Sequence, residues 1–247
     1  MRSICIMNQK GGVGKTTTAL NLASGLSRSG KRVLLVDLDP QGNISTALKI
    51  QSDHDLYDAL KGEVSIFSCI TKVAENLDAI TSRETLAKAE YYISRQDNTR
   101  MVLKSVLKQI KGYDYIIIDC PPSLGILNQN VLAFCEEAFI PVSTDYLGLN
   151  ALSKMTEIIT QISRAYDHPI KITKIIPTLF DKRLKTCRDT LDLITNEYAE
   201  ITSYPIRVNS KLKEAPKEGK SIFSYAKKSN GAKDYGKLVE DVLAMES

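Results

Sequence analysis

The feature that most constrains this chain is an alternation of short, continuously apolar, β-branched runs with stretches of helical periodicity. The runs are Ile4-Cys5-Ile6-Met7, Arg32-Val33-Leu34-Leu35-Val36-Asp37, Leu77-Asp78-Ala79-Ile80, Tyr115-Ile116-Ile117-Ile118-Asp119, Ala138-Phe139-Ile140-Pro141-Val142 and Ile172-Thr173-Lys174-Ile175-Ile176. Between them, apolar residues recur at helical spacing at Leu20, Leu22, Ala23 and Leu26, then at Leu103, Val106, Leu107 and Ile110 within 98–110, and again over 150–166. Strands that are apolar throughout cannot leave either face of their sheet to water, and amphipathic helices between them supply the cover. The chain is therefore expected to form an α/β fold, a doubly wound, mainly parallel sheet with helices on both faces. Nothing repeats internally and no low-complexity linker divides the sequence, so residues 1–247 are read as a single domain.

The first run leads into Asn8-Gln9-Lys10-Gly11-Gly12-Val13-Gly14-Lys15-Thr16-Thr17-Thr18, and the helix that follows is expected to stop at Gly30. A glycine-rich turn between a buried strand and a helix exposes backbone N–H groups around an anion, and the helix N-terminus adds its dipole. Gly11, Gly12, Val13 and Gly14 would form that cradle, Lys15 would neutralise the β- and γ-phosphates of a nucleotide, the Thr16 hydroxyl would sit on Mg²⁺, and Thr17 would reach the α-phosphate. One detail departs from the strict phosphate-loop pattern G-x-x-x-x-G-K-S/T. Its first glycine is replaced by Gln9, and an additional lysine, Lys10, precedes the paired glycines.

Two acidic sites accompany the loop. The run ending at Asp119 suits a carboxylate that holds Mg²⁺ through water. In Val36-Asp37-Leu38-Asp39-Pro40-Gln41-Gly42, alternation sends Asp37 and Asp39 to one side of an extended chain, at the carboxyl end of a central strand where such sheets bind ligands. Two carboxylates there repel each other unless a cation or a water network requires them.

Bulk properties exclude several classes. Cys5, Cys69, Cys120, Cys135 and Cys187 are scattered with no C-x-x-C spacing, which argues against a zinc, cluster or thiol-redox site and for packed thiols in a reducing, cytoplasmic compartment. The N-terminal apolar run is a strand rather than a signal peptide, and no apolar stretch approaches the roughly 20 residues of a membrane span. His54 and His168 are isolated and read as surface residues. The net charge of +4 is uneven: residues 171–237 hold 15 Lys and Arg against 8 Asp and Glu, and the remainder holds 18 against 21. A basic C-terminal third suggests a polyanion-binding face, although a solvated lysine-rich surface would look the same by charge.

The segment Lys10 to Thr18 resembles the deviant Walker A box of the ParA/MinD ATPases. Val36 to Asn43, and Tyr113-Asp114-Tyr115-Ile116-Ile117-Ile118-Asp119-Cys120-Pro121-Pro122-Ser123-Leu124-Gly125, resemble that family's other two boxes. Leu212-Lys213-Glu214-Ala215-Pro216-Lys217-Glu218-Gly219-Lys220 is similar to a C-terminal signature of its Soj/ParA branch. The resemblance implies a Mg²⁺-dependent ATPase that closes as an ATP-bound sandwich homodimer, with Lys10 reaching the phosphates of the other subunit. By the same carry-over Lys10, Lys15 and Asp39 are the catalytic residues, with Asp39 orienting or activating the water, and Thr16, Asp37 and Asp119 serve the metal. Turnover would be slow until a partner completes the site.

Within that family the resemblance favours a partition ATPase bound to the nucleoid through non-specific double-stranded DNA and stimulated by a ParB-like centromere-binding protein. Phe180-Asp181-Lys182-Arg183-Leu184-Lys185 aligns with the stretch whose arginine contacts DNA, which points to Arg183 first and then to Lys182, Lys185, Arg188, Lys211 and Lys213. The chain starts at the first strand, so the helix-turn-helix extension of larger relatives, and with it operator binding, is not expected. The tail 235–247 places Leu238, Val239, Val242 and Leu243 on one side among acids rather than lysines, which suits core packing better than lipid, and no stable membrane association is expected. The alternative is a ParA/MinD-type ATPase that positions a protein cargo or a membrane-associated division-site regulator.

Overall fold

The apolar runs pair with one another as parallel strands, because each is buried on both faces and its backbone groups can be satisfied only sideways. β1 (Arg2–Ile6), β2 (Val33–Asp37), β3 (Ile70–Ala74), β4 (Leu77–Ile80), β5 (Tyr115–Asp119), β6 (Glu137–Ser143) and β7 (Lys171–Thr178) form one sheet in the order β3-β4-β2-β5-β1-β6-β7. All neighbours run parallel except β3, which turns back antiparallel on β4 at one edge. The structure, a computed structural model, describes residues 1–166 and 168–246, so Ser247 at the end of the tail read above lies outside the described residues.

The helices are α1 (Lys15–Arg28), α2 (Asn43–Leu48), α3 (Leu56–Leu60), α4 (Ala89–Ser94), α5 (Val102–Leu107), α6 (Ile126–Phe134), α7 (Tyr146–Tyr166), α8 (Lys185–Glu197), α9 (Ser210–Glu214), α10 (Ile222–Tyr225) and α11 (Asn230–Ala244). They divide between the two faces as strand alternation requires. Tyr115 and Ile117 join a core with Leu22 and Leu26 of α1, Ile44 of α2, Ile222 of α10 and Leu238 of α11. Ile116 and Ile118 point the other way, to Leu56, Ile93, Leu103, Leu127, Met155 and Ile194 of α3 to α8. The doubly wound arrangement read from the sequence is thus the observed one.

Several boundaries moved for local reasons. The periodic stretch 98–110 is helical only over α5, because the Asn130 side chain accepts from Leu103 N at 3.2 Å and donates to Thr99 O at 2.7 Å, closing the helix start there. Conversely α7 begins four residues before 150, where Gly148 N donates to the Asp145 carboxylate at 2.7 Å as to an N-cap. α1 ends as expected: Gly30 adopts φ 85°, and Lys31 N and Gly30 N return to the carbonyls of Leu26 and Ser27. His54 and His168 are partly exposed, with His168 Nε2 2.7 Å from the Cys135 carbonyl, while all five cysteines are buried and free.

The tail packs into the core. Leu238 and Val242 are fully buried, and the Tyr235 hydroxyl lies 3.1 Å from that of Thr18 on α1. The two helices approach so closely at Gly25 that a Cβ there would lie 2.4 Å from Val239 Cγ2 and 3.0 Å from Phe223 Cε2, whereas a Cβ at Gly236 meets nothing. Gly25→Ala should therefore lower unfolding stability by about 1–3 kcal/mol through overpacking. Gly236→Ala should be neutral or raise stability by up to about 1 kcal/mol, since alanine favours helix. Urea midpoints of the two variants check this, and equal midpoints would show that α1 and α11 can separate freely.

Candidate functional site

The loop between β1 and α1 lies at the carboxyl edge of the sheet, between neighbours β5 and β6 that the chain reaches in opposite directions from β1. Gly12 and Gly14 adopt φ 74° and 88°, a left-handed backbone open to glycine, which turns successive N–H groups inward. α1 then starts with no side-chain cap and no acidic residue in its first turn, so its terminal N–H groups and its dipole face the loop uncompensated. Asn8 fixes the base of the loop by donating to Pro141 O at 2.7 Å and accepting from Lys10 N at 2.9 Å. On the far side Thr178 Oγ1 donates to the carbonyl of the buried Val13 at 2.8 Å. The result is a cleft of about 330 Å³ lined by Gly11, Gly12, Gly14, Lys15, Thr16, Thr17, Asp39, Asn43 and Pro122. Its size, its inward N–H groups and the Lys15 ammonium suit a phosphate chain.

The three carboxylates divide by environment. Asp119 is fully buried at the end of β5, and neither of its oxygens has a hydrogen-bond donor among the described residues. Burial pushes its carboxyl well up, the charge of Asp37 pushes the same way, and Thr16 and Lys15 pull back. A buried, unpaired carboxylate beside a threonine hydroxyl fits a divalent cation that would supply the missing positive charge. Asp37 is equally buried but engaged: its oxygens accept from Asp39 N at 2.9 Å and Ile44 N at 3.0 Å, and burial raises its carboxyl to about 6. It therefore shapes the 39–44 turn and adds negative charge behind Asp119. Asp39 is half-exposed in the cleft, where it accepts from Gln41 N at 3.0 Å while Asn43 Nδ2 stands 3.5 Å from its other oxygen. Lys15 is 8% exposed and held by Lys10 O at 3.3 Å; burial lowers its pKa against the pull of Asp119 and Asp39.

Lys10, read as reaching the phosphates of the other subunit, makes its contacts within its own chain outside the cleft. Its ammonium turns away from the cleft of its own subunit and donates to Ser143 Oγ at 2.9 Å and to the Asp145 carboxylate at 2.8 and 2.9 Å. The cause is the sheet order, which brings the end of β6, and so the carboxylate just beyond it, next to the loop after β1. Asp145 and Ser143 were missed in the sequence, as were Pro122 and Asn43 in the cleft wall. The last two lay inside the quoted acidic boxes and could have been found there.

The basic candidates cluster at the end of β7. Val208 N donates to Phe180 O at 3.0 Å, which places the strand-like segment before Lys211 and Lys213 beside the segment holding Lys182 and Arg183. All of these, with Lys185 and Arg188 of α8, are exposed. Arg183 makes a bidentate pair with Asp181, at 2.9 and 2.6 Å, and holds that carboxyl down to about 2; Arg188 donates to Lys182 O at 2.7 Å.

Comparison with known proteins agrees with this geometry. A family model described as an AAA domain matches residues 1–172. The chromosome-partitioning ATPase Soj of Treponema pallidum is 37% identical over 248 residues, covering 99% of this chain and 98% of that one. Among solved structures, a cobyrinic acid a,c-diamide synthase of Mycobacterium smegmatis with bound ADP and magnesium superposes with a TM-score of 0.85 at 28% identity, covering 100% and 95% of the two chains. The septum site-determining protein MinD of Pyrococcus horikoshii, complexed with Mg-ADP, gives 0.82 at 26% identity, covering 100% and 97%. With a deviant phosphate loop, an unpaired buried carboxylate beside it and end-to-end similarity to Soj, the chain belongs to the Soj/ParA family of chromosome-partitioning P-loop ATPases.

Proposed function

We propose that this chain is a DNA-segregation ATPase that binds Mg-ATP in the cleft at α1, closes as a sandwich homodimer, binds duplex DNA without sequence preference and hydrolyses ATP when a ParB-like partner stimulates it. The observation that carries the nucleotide half is Asp119, buried and without a donor beside Thr16 and Lys15. Held by Thr16 and, through water, Asp119, Mg²⁺ would offset charge on the phosphates. The chain's own groups do the rest. The loop N–H groups and Lys15 bind and orient the triphosphate, Asp39 orients the water, and Lys10 of one subunit reaches the phosphates of the other. This constellation is mostly positioning and electrostatics.

The DNA half rests on the exposed basic residues gathered at the end of β7. A dimer presents that face twice and doubles the number of phosphate contacts, Z. Since log K falls with log salt at a slope of about −0.9Z, dimerisation both tightens binding and steepens its salt dependence. Arg183→Glu should weaken binding to random-sequence duplex and flatten the slope by about one for each subunit, with ATP-dependent dimerisation intact. Titrations with ATP and with ADP at several salt concentrations check this, and an unchanged slope would remove Arg183 from the contact.

The alternative is a ParA/MinD-type ATPase that positions a protein cargo or a membrane-associated regulator. Against a membrane role stands the burial of Leu238, Val239 and Val242 against α1; among the described residues, no helix is long and apolar enough to cross a membrane. Location on the nucleoid in the cytoplasm follows from the segregation reading. The deciding experiment measures phosphate release with Mg-ATP alone, with DNA, and with DNA plus a ParB-like protein. Wild-type protein that ignores DNA with ATP but binds anionic liposomes would replace segregation with the membrane reading.

A further inference from the structure

We propose that Asp145 is a positioning residue that holds Lys10 within its own subunit, so that opening the Lys10–Asp145 pair sets the threshold for ATP-dependent dimerisation and turnover. This deepens the reading of Lys10 as a lysine that acts on the other subunit, and rests on it. The Lys10 backbone is tied to the loop base, its N–H donating to the buried Asn8, which in turn donates to Pro141 O. In the free subunit the Lys10 side chain is taken up by three acceptor contacts, two from Asp145 and one from Ser143. Partial burial raises the Asp145 carboxyl, and the hydrogen bonds from Lys10 and Ser143 more than reverse this, so the carboxylate is ionised at neutral pH and holds the lysine as a charge.

The pair is built to open. Its side chains are 28% and 51% exposed, a setting in which an ion pair is weak and yields to a stronger competitor. The triphosphate in a second subunit carries several negative charges against one on Asp145. Asp145 is not left without a partner when the lysine leaves, because the same carboxylate accepts from Gly148 N at 2.7 Å and caps α7. Immediately after it in sequence, Tyr146 and Leu147 are 74% and 65% exposed. One short segment therefore carries both the restraint on Lys10 and the cap of a 21-residue helix.

Asp145→Asn separates these roles, since asparagine caps a helix as well as aspartate does but removes the charge that retains Lys10. An exposed pair is worth about 1.5- to 5-fold, and two pairs open per dimer, so with Mg-ATP the dimer should form at about 2- to 25-fold lower protein concentration, with faster basal phosphate release. The gain should shrink at high salt, where the wild-type pair is already screened. Lys10→Ala/Asp145→Asn should behave as Lys10→Ala alone. Ser143→Ala, which removes one of the three acceptors of Lys10 and the Ser143 hydrogen bond to Asp145 while leaving the Gly148 N contact in place, should shift dimerisation in the same direction by less, and carries the test if Asp145→Asn does not fold. Light scattering and phosphate release read all four proteins. If Asp145→Asn dimerises at wild-type concentrations or higher, or if its gain persists without Lys10, the restraint is refuted. If instead Lys10→Ala itself dimerises as wild type does, the trans reading fails and this inference with it, a distinguishable result.

Discussion

Asp39→Ala should leave ATP binding intact while phosphate release falls by a factor on the order of 10² to 10⁴, the range supplied by a positioned general base. The side chain lines the cleft with Lys15, Thr16 and Asn43, and it is the one carboxylate of the three that is neither buried nor fully committed to backbone donors. Asp37 and Asp119 would survive the substitution, so the charge behind the metal site is unchanged. The 39–42 turn also survives, because Gly42 N bonds the Asp39 carbonyl and the Ser82 hydroxyl donates to the same oxygen; only the side-chain bonds from Gln41 N and Asn43 Nδ2 are lost. Truncation therefore removes an acceptor for the attacking water without dismantling the site. The variant should accumulate as an ATP-bound, DNA-competent dimer. Single-turnover phosphate release together with light scattering measures both halves, and undiminished turnover would move the role to another group.

What could be read from the sequence follows how local the causes were. Tyr115–Asp119 and Leu77–Ile80 occur as strands with the bounds read from their apolar runs, because a central parallel strand is buried on both faces and its sequence says so without reference to its neighbours. β3 escaped notice: Ile70-Thr71-Lys72-Val73-Ala74 is an edge strand, partly exposed, paired on one side only and irregular at Lys72/Ala74, so neither burial nor alternation marks it. The phosphate loop was legible because glycines, lysine and threonine lie within one turn of chain. The nearness of Lys10 to Asp145 was not, since 135 residues separate them and only the placement of β6 beside β1 joins them. The basic residues were legible as a composition and not as a surface; the bridge between Phe180 and Arg207 is what gathers them.

The paired lysines should give opposite phenotypes. Lys15→Ala should weaken ATP binding by about 2–5 kcal/mol, thirtyfold to several thousandfold in Kd, because a buried ammonium is removed from the phosphates and nothing else in the cleft wall carries positive charge. It also leaves Asp119 without the nearest cation of its own chain, so the loss should deepen when Mg²⁺ is withheld. Lys10→Ala should bind ATP with wild-type affinity, since the Lys10 ammonium points to Ser143 and Asp145 rather than into the cleft of its own subunit. Its defect should appear one step later, as loss of the ATP-dependent dimer and of turnover, because in the proposed trans role its charge acts on phosphates held by the other subunit. Mixing is the sharpest form of the test. A Lys10→Ala subunit can still present ATP to an intact lysine, so adding it to Lys15→Ala protein, which keeps Lys10 but holds nucleotide weakly, should restore part of the turnover at a composite site when ATP is kept well below the weakened Kd. Equilibrium nucleotide binding separates the two variants, and light scattering with phosphate release follows the mixture. A normal ATP-dependent dimer from Lys10→Ala alone would count decisively against the trans role.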